Sequence, residues 1–203
     1  PAALYPVDFY SSDLPKKYEE GKKVVLAGRL MSRRIQGKAS FAELQDSKGK
    51  IQIYFNRDEI CTSEDKTLYN EVYKKLLDIG DIIGVEGTLF TTMVGEQTVK
   101  VTHFTLLNKT LRPLPLPKTD AEGNVFDEFN DPELRYRQRY VDLIVNPQVK
   151  KTFLQRSKIT TTIREFLIQK GYLEVETPIL QSIPGGAAAR PFITHHNALN
   201  IPL

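Results

Sequence analysis

A small all-β barrel of five strands with one helix, followed by a helical segment that opens a second domain, is the fold class that this 203-residue sequence predicts. Three observations predict it. Five runs between residues 24 and 109 are apolar or alternate apolar with polar, the period of a strand with one face buried. The links between the first three runs are short and carry glycine, as hairpins require. One stretch with helical spacing falls between the third and fourth runs. Five strands with a helix after the third is the arrangement of the OB-fold, a Greek-key barrel.

The elements follow in order. Residues 24–34 (VVLAGRLMSRR) begin apolar and then alternate. Residues 38–46 (KASFAELQD) put Ala39 and Phe41 on one side, with Glu43 in step. Residues 50–55 (KIQIYF) set Ile51 and Ile53 opposite Gln52. Ile35-Gln36-Gly37 and Ser47-Lys48-Gly49 join these runs into a three-strand meander. Leu68, Val72 and Leu76 recur at helical spacing, which predicts a helix with that stripe inward and Tyr69 and Tyr73 flanking it. Thr62 or Ser63 is its expected cap, Glu64 and Asp65 suit its first turn, and Gly80 suits its end. Residues 81–92 (DIIGVEGTLFTT) and 98–109 (TVKVTHFTLLNK) supply the last two strands, joined by a turn that holds Gly95-Glu96.

Composition narrows the class. Hydrophobic content of 40% and charged content of 26% are those of an ordinary globular protein. No apolar run approaches the roughly 20 residues that span a membrane. Cys61 is the only cysteine, which excludes an internal disulfide and a cysteine-based metal cage and makes a reducing, cytoplasmic compartment the default. No signal peptide opens the chain and Pro1 is not an initiator Met, so an upstream start is expected. Net charge is +3, with ten Lys or Arg against six Asp or Glu in residues 1–50. That excess permits an anionic partner and equally describes a solvated basic face.

The strand 2–3 face of an OB barrel is a usual platform for single-stranded nucleic acid. Phe41 follows GKAS on the second strand; it is either a core aromatic or a base-stacking one. Its neighbours argue for the second reading. Arg33 and Arg34 end the first strand, Lys38 opens the second, and Gln52 sits on the third. Arginine contacts phosphates or base edges, and a glutamine amide offers both a donor and an acceptor.

Pro113, Pro115 and Pro117 alternate within residues 110–130 and predict a stiff extended linker. The expected domains are therefore 1–109 and 131–203, with 110–130 between them. Asp131-Pro132 reads as a helix start, opening ELRYRQRYVDL, a connector helix packed by Leu134, Tyr140 and Leu143 or a basic contact element. Asn146-Pro147 repeats the signal for a long helix to about Lys170, with Val149, Phe153, Ile159, Ile163, Phe166 and Leu167 as its apolar stripe. That stripe packs in a core or on a partner subunit. Gly171 ends the helix, and residues 172–178 alternate as a strand that stops at Pro178. Beyond it, SIPGGAAARPFITHHN (182–197) fits neither period; its paired glycines and small alanines read as one wall of a small-molecule pocket. Adjacent His195 and His196 would point to opposite faces of a strand, which makes a poor metal pair, and no metal is expected there.

These residues resemble the lysyl-tRNA synthetases, class II aminoacyl-tRNA synthetases with an N-terminal OB-fold anticodon domain. GRLMSRRIQGKASF with LQDSKGKIQIY is similar to the family's anticodon module, LRPLPLP and RYRQRYVDL to its connector, GYLEVETP to motif 1, and IPGGAAARPFITHHN to the segment after motif 1. The resemblance implies that residues 131–203 begin an α+β catalytic domain built on an antiparallel sheet. It implies that Phe41 stacks on an anticodon base, that Arg34, Gln52 and Glu96 read a uridine-rich anticodon, and that Arg29 neighbours them. A carboxylate such as Glu96 can accept from the uridine N3–H. Gly186, with Gly185 and Ala187 beside it, is implied to contact the lysine substrate; Gly171 and Pro178 are implied to lie at a homodimer interface. The implied activity of the full-length protein is lysine–tRNA ligation: L-lysine and ATP give lysyl-adenylate, and the lysyl group passes to the 3′ end of tRNA(Lys). No catalytic residue is expected within this chain. The ATP- and Mg²⁺-binding residues of motifs 2 and 3 are expected beyond Leu203, so the chain alone is expected to be inactive. Two rivals remain: a non-enzymatic OB-fold module for single-stranded nucleic acid, and an aspartate- or asparagine-specific ligase of the same subgroup.

Overall fold

A computed structural model describes residues 5–123, 125–126, 128–181 and 192–203. It divides into two compact units, Pro1–Val141 and Asp142–Leu203.

The first unit is built on a closed barrel. Its strands are β1 (Lys23–Gln36), β2 (Ala39–Gln45), β3 (Lys50–Asn56), β4 (Ile82–Thr91) and β5 (Gln97–Asn108), in the order β1-β2-β3-β5-β4 with β4 returning to β1. All neighbours are antiparallel except β3 and β5. The expected meander and final hairpin are present. Inward positions alternate along each strand: Ala42 and Leu44 on β2, Ile51, Ile53 and Phe55 on β3, Val99 and Val101 on β5 are all buried. The β1–β2 link is tighter than expected, with Gly37 and Lys38 between the strands and Gly37 at φ 62, a conformation that glycine adopts without strain.

β1 breaks the period once. Its register against β2 shifts between Leu30 and Ser32, so Leu30 and Met31 are both buried in succession. Before this bulge the even-numbered residues Val24, Leu26 and Leu30 face the core; after it Arg33 stands opposite buried Ala42, while Ser32 and Arg34 stand opposite the outward Glu43 and Phe41.

The helix that follows β3 differs from the expected one. A short α2 (Arg57–Ile60) is capped by Asn56, whose side chain accepts from the Asp58 N–H, and a π-helical segment spans Leu68–Leu76. Its cap is Thr67, without a side-chain hydrogen bond, rather than Thr62 or Ser63. The buried residues are Tyr69, Tyr73 and Leu77; Leu68 and Val72 are only partly buried, and Leu76 is exposed. The tyrosines can be buried because their hydroxyls find partners inside. Tyr73 Oη lies 2.7 Å from Ser40 Oγ, and Tyr69 Oη donates to the Gly37 carbonyl at 3.4 Å. Burial pushes the Tyr73 hydroxyl up to about 12, against the opposing influences of Ser40 and Arg33, so it stays neutral.

Two buried carboxylates tie the barrel ends. Asp46 accepts from the Ser11 N–H at 2.6 Å and Ser11 Oγ at 2.7 Å, pinning the N-terminal turn (Ser11–Asp13) and α1 (Leu14–Lys17), elements that sequence periodicity did not signal. Asp81, fully buried, accepts from the N–H groups of Asp78 and Thr110, each at 2.8 Å, and from Lys109 Nζ at 2.7 Å.

Past the barrel, residues 111–117 carry no helix or strand, and β6 (Lys118–Thr119) pairs with β7 (Val125–Phe126) beyond them, a small hairpin the sequence did not signal. Asp131 caps α3 (Pro132–Arg137) by accepting from the Leu134 N–H at 2.8 Å, as its position predicts. The connector is broken at Gln138, and α4 (Arg139–Val145) follows. Arg137 pairs with Glu133, and Leu134 and Tyr140 are exposed.

The second unit carries α5 (Pro147–Gln169). Asn146 holds the cap position but its side-chain amide donates to Asp142 rather than capping the helix. At the other end the Gly171 N–H bonds to the Ile168 carbonyl and the Tyr172 N–H to the Leu167 carbonyl, with Gly171 at φ 85, a Schellman stop. Residues 172–178 form no strand, contrary to their alternation: no ladder partner meets them among the described residues. β8 (His195–His196) and β9 (Ile201–Pro202) form a small antiparallel pair.

Burial pushes the Asp81 carboxyl up, but the Asp78 N–H, the Lys109 ammonium and the Thr110 N–H outweigh it and hold the carboxyl below its usual range. A carboxyl lowered by folding stabilises the fold above its unfolded value, and that stabilisation is lost as pH falls through the folded value. The thermal midpoint is therefore expected to drop on acidification below about pH 4, and Asp81→Asn to cost about 1–3 kcal/mol at neutral pH with a shallower acid slope. Wild-type stability of Asp81→Asn in denaturant melts at neutral pH would contradict this.

Candidate nucleic-acid interface

Strand register assembles the site. One outward row runs across the barrel from Arg34 (β1) to Phe41 (β2), Tyr54 (β3) and Lys100 (β5). The next row runs from Ser32 to Glu43, Gln52, Thr98 and, on β4, Phe90. A concave pocket of about 250 Å³ lies over the two rows, lined by Ser32, Arg34, Phe41, Glu43, Gln52 and Glu96 among others. Glu96 arrives from the β4–β5 turn, where Gly95 at φ 85 lets the chain reverse and the Glu96 N–H bonds to Thr92 Oγ1 at 3.0 Å. Four of the five predicted anticodon-contact residues, Arg34, Phe41, Gln52 and Glu96, thus share one pocket.

The pocket holds three kinds of recognition chemistry. Phe41 is half-buried, its ring 5.0 Å from that of Tyr54 and tilted by 49°; Tyr54 in turn meets Phe90 edge-on at 5.8 Å. This aromatic strip offers a stacking surface held from behind. Arg34 makes no ion pair among the described residues and is exposed, so its five N–H donors are open to a base edge or a phosphate. Gln52 and Glu96 are linked: Gln52 Nε2 donates to Glu96 Oε2 at 2.7 Å, and Thr98 Oγ1 donates to Gln52 Oε1 at 2.9 Å. Glu43 is paired through Oε1 with the Lys50 ammonium at 2.7 Å, whereas the Glu96 carboxylate meets the neutral Gln52 amide.

The remaining predicted residues lie elsewhere. Arg29, on the other side of the bulge, stands opposite Gln45 and donates to the Gly80 carbonyl at 2.6 Å; it does not line the pocket. Arg33 is turned inward onto the Tyr73 carbonyl and ring. Lys38 faces Asp58 at 3.6 Å on the surface. Gly171 closes α5, and Pro178 lies in an irregular segment where its carbonyl accepts from Gln181 Nε2 at 3.3 Å. Gly185, Gly186 and Ala187 lie outside the described residues. His195 Nε2 lies 3.2 Å from Asn200 Oδ1, and His196 Nδ1 accepts from the Leu199 N–H. Sequence reasoning passed over Ser32, Tyr54 and Thr98. Tyr54 was in step with Gln52 on its strand, a signal that could have found it; Ser32 was hidden by the bulge, and Thr98 by the crossing of β3 onto β5.

Comparison with known proteins agrees with this geometry. Residues 24–107 match the family described as OB-fold nucleic acid binding domain, and residues 131–202 match the family described as tRNA synthetases class II (D, K and N). Over 203 residues, all of this chain and 36% of the relative, it is 70% identical to a protein of Christiangramia forsetii named Lysine--tRNA ligase. Proteins of the same name from Porphyromonas gingivalis and a Thermoanaerobacter species are 57% identical over 208 residues and 56% identical over 195 residues. The chain covers 36% of each of these relatives. It therefore spans little more than a third of the relatives it matches.

Proposed function

We propose that this chain, whose residues 24–107 belong to the OB-fold nucleic acid binding domains and whose residues 131–202 belong to the class II (D, K and N) tRNA synthetases, is the anticodon-reading part of a lysine–tRNA ligase. One observation carries the reading: Arg34, Phe41, Gln52 and Glu96 converge in one outward pocket of a nucleic-acid barrel. A base stacks on Phe41, the Glu96 carboxylate accepts from a uracil N3–H, Gln52 donates its remaining amide proton to a neighbouring carbonyl, and Arg34 supplies positive charge to the backbone or a base edge. Residues 1–109 form the tRNA-recognition domain, 110–130 the linker, and 131–203 the start of the catalytic domain, with the segment around Gly186 as an edge of the lysine site. The lone Cys61 suits a cytoplasmic protein. No described helix is long and apolar enough to cross a membrane.

ATP and Mg²⁺ belong to the longer protein in this reading. Among the described residues no group of three or more His, Cys, Asp or Glu side chains converges to hold a metal. What the chain contributes is selection: correct base contacts hold the right tRNA long enough for its 3′ end to reach the active site.

The apolar face of α5 supports a homodimer. Ile159, Ile163, Phe166 and Leu167 are all exposed along this one helix, and Gly171 and Pro178 follow it. A stripe of this kind needs a covering surface, and a second copy is the proposed one.

Phe41→Ala is expected to weaken binding of lysine tRNA by about 1–3 kcal/mol, while lysine-dependent exchange of pyrophosphate into ATP by the longer protein stays unchanged. Equal tRNA binding by both proteins, or exchange supported by aspartate or asparagine instead of lysine, would overturn the reading. For the dimer, the longer protein is expected to sediment as two copies at micromolar concentration and Ile163→Glu to shift it toward one; a wild type that sediments as a single copy would contradict it.

A further inference from the structure

We infer that Thr98 is a positioning residue for base recognition: its hydroxyl holds the Gln52 side-chain amide in the orientation that Glu96 selects. The inference rests on the reading of the pocket given above and adds a residue that makes no contact with the base itself.

A glutamine amide has two orientations that differ by exchange of its oxygen and nitrogen. One neighbour, Glu96, selects between them here, and a second, Thr98, holds the selected one. Glu96 Oε2 lies 2.7 Å from one end of the Gln52 amide, and Thr98 Oγ1 lies 2.9 Å from the other. A carboxylate only accepts, so the amide nitrogen must face Glu96; the reverse orientation would set two acceptors against each other. The amide oxygen is then left facing Thr98, which is fully buried and aligned opposite Gln52 in the parallel β3–β5 register. The Thr98 oxygen also lies 3.2 Å from the Glu96 carbonyl, the longer of the two contacts open to its one proton. Because Thr98 sits in the barrel wall, it holds the amide oxygen from a rigid element rather than from the mobile end of a long side chain.

The consequence is a fixed order of groups toward the ligand. Among the described residues Gln52 keeps one N–H free, and Glu96 keeps one oxygen free, so the pair presents a donor beside an acceptor. The Watson–Crick edge of uracil reads acceptor, donor, acceptor, and any two adjacent positions match that pair. A turned amide would present two adjacent acceptors, which match no adjacent pair on uracil. Thr98 therefore acts on recognition only through Gln52.

A double-mutant cycle tests this. The ligand is an RNA hairpin whose loop carries UUU, and a hairpin with one uridine replaced by cytidine serves as control. Thr98→Val removes the hydroxyl at nearly constant volume and is expected to weaken UUU binding about fivefold, the size of one neutral hydrogen bond. In a Gln52→Leu background the same substitution is expected to change binding by less than about twofold. Thr98→Ser, which keeps the hydroxyl, is expected to bind like wild type. Should Thr98→Val fail to fold, Thr98→Ala removes the same hydroxyl and takes its place in the cycle. An equal loss in both backgrounds would assign Thr98 a merely structural role and overturn the inference. A wild type that does not separate the UUU hairpin from its control would overturn both this inference and the pocket reading beneath it.

Discussion

The bulge at Met31 is the constraint on which the site depends. A strand alternates its side chains with a period of two, and one extra residue inverts every position after it. Without the bulge, Ser32 and Arg34 would fall in step with Leu30 and face the core, and Arg33 would face solvent. With it, Met31 is buried beside Leu30, Arg33 turns in to Tyr73, and Arg34 stands next to Phe41 on the outside. One inserted residue therefore separates a structural arginine from one that makes no ion pair among the described residues.

The rest of the pocket is built the same way, from register rather than from loops. Phe41, Tyr54, Gln52 and Thr98 come from three strands aligned in two rows, and only Glu96 comes from a turn. Side chains on such rows are held by the ladder and by the packed core beneath them. A recognition surface of this kind loses little freedom when a flexible single strand docks on it, so the ordering cost falls mostly on the RNA. The buried carboxylates Asp46 and Asp81 serve the same rigidity at the barrel ends, each satisfied by several donors.

Much of this was legible in sequence, for definable reasons. The five strands, their hairpins and α5 follow from period and punctuation, because each buries one face or one stripe. Phe41, Gln52 and Glu96 were picked out by residue type and resemblance, and they do converge. The helix stripe was misjudged because hydrophobicity favoured Leu68, Val72 and Leu76, whereas Tyr69 and Tyr73 are buried once Ser40 and Gly37 satisfy their hydroxyls. Arg29 and Arg33 look alike in a strictly alternating strand, and only the bulge turns Arg33 inward and Arg34 outward. The strand expected at 172–178 did not form because alternation specifies a face but supplies no ladder partner. Thr98 was invisible because its role arises from a parallel pairing between strands more than forty residues apart, Gln52 lying 46 residues from it.

The central claim is that the outward face of β1, β2 and β3 reads uracil. The most direct measurement is a two-dimensional NMR titration of the isotopically labelled chain with a UUU-loop RNA hairpin. The account predicts that the largest shifts fall on Arg34, Phe41, Gln52 and Glu96, while Arg29 and Arg33 stay still. Largest shifts on α5 or around Arg29, or the same pattern with an AAA loop, would contradict it.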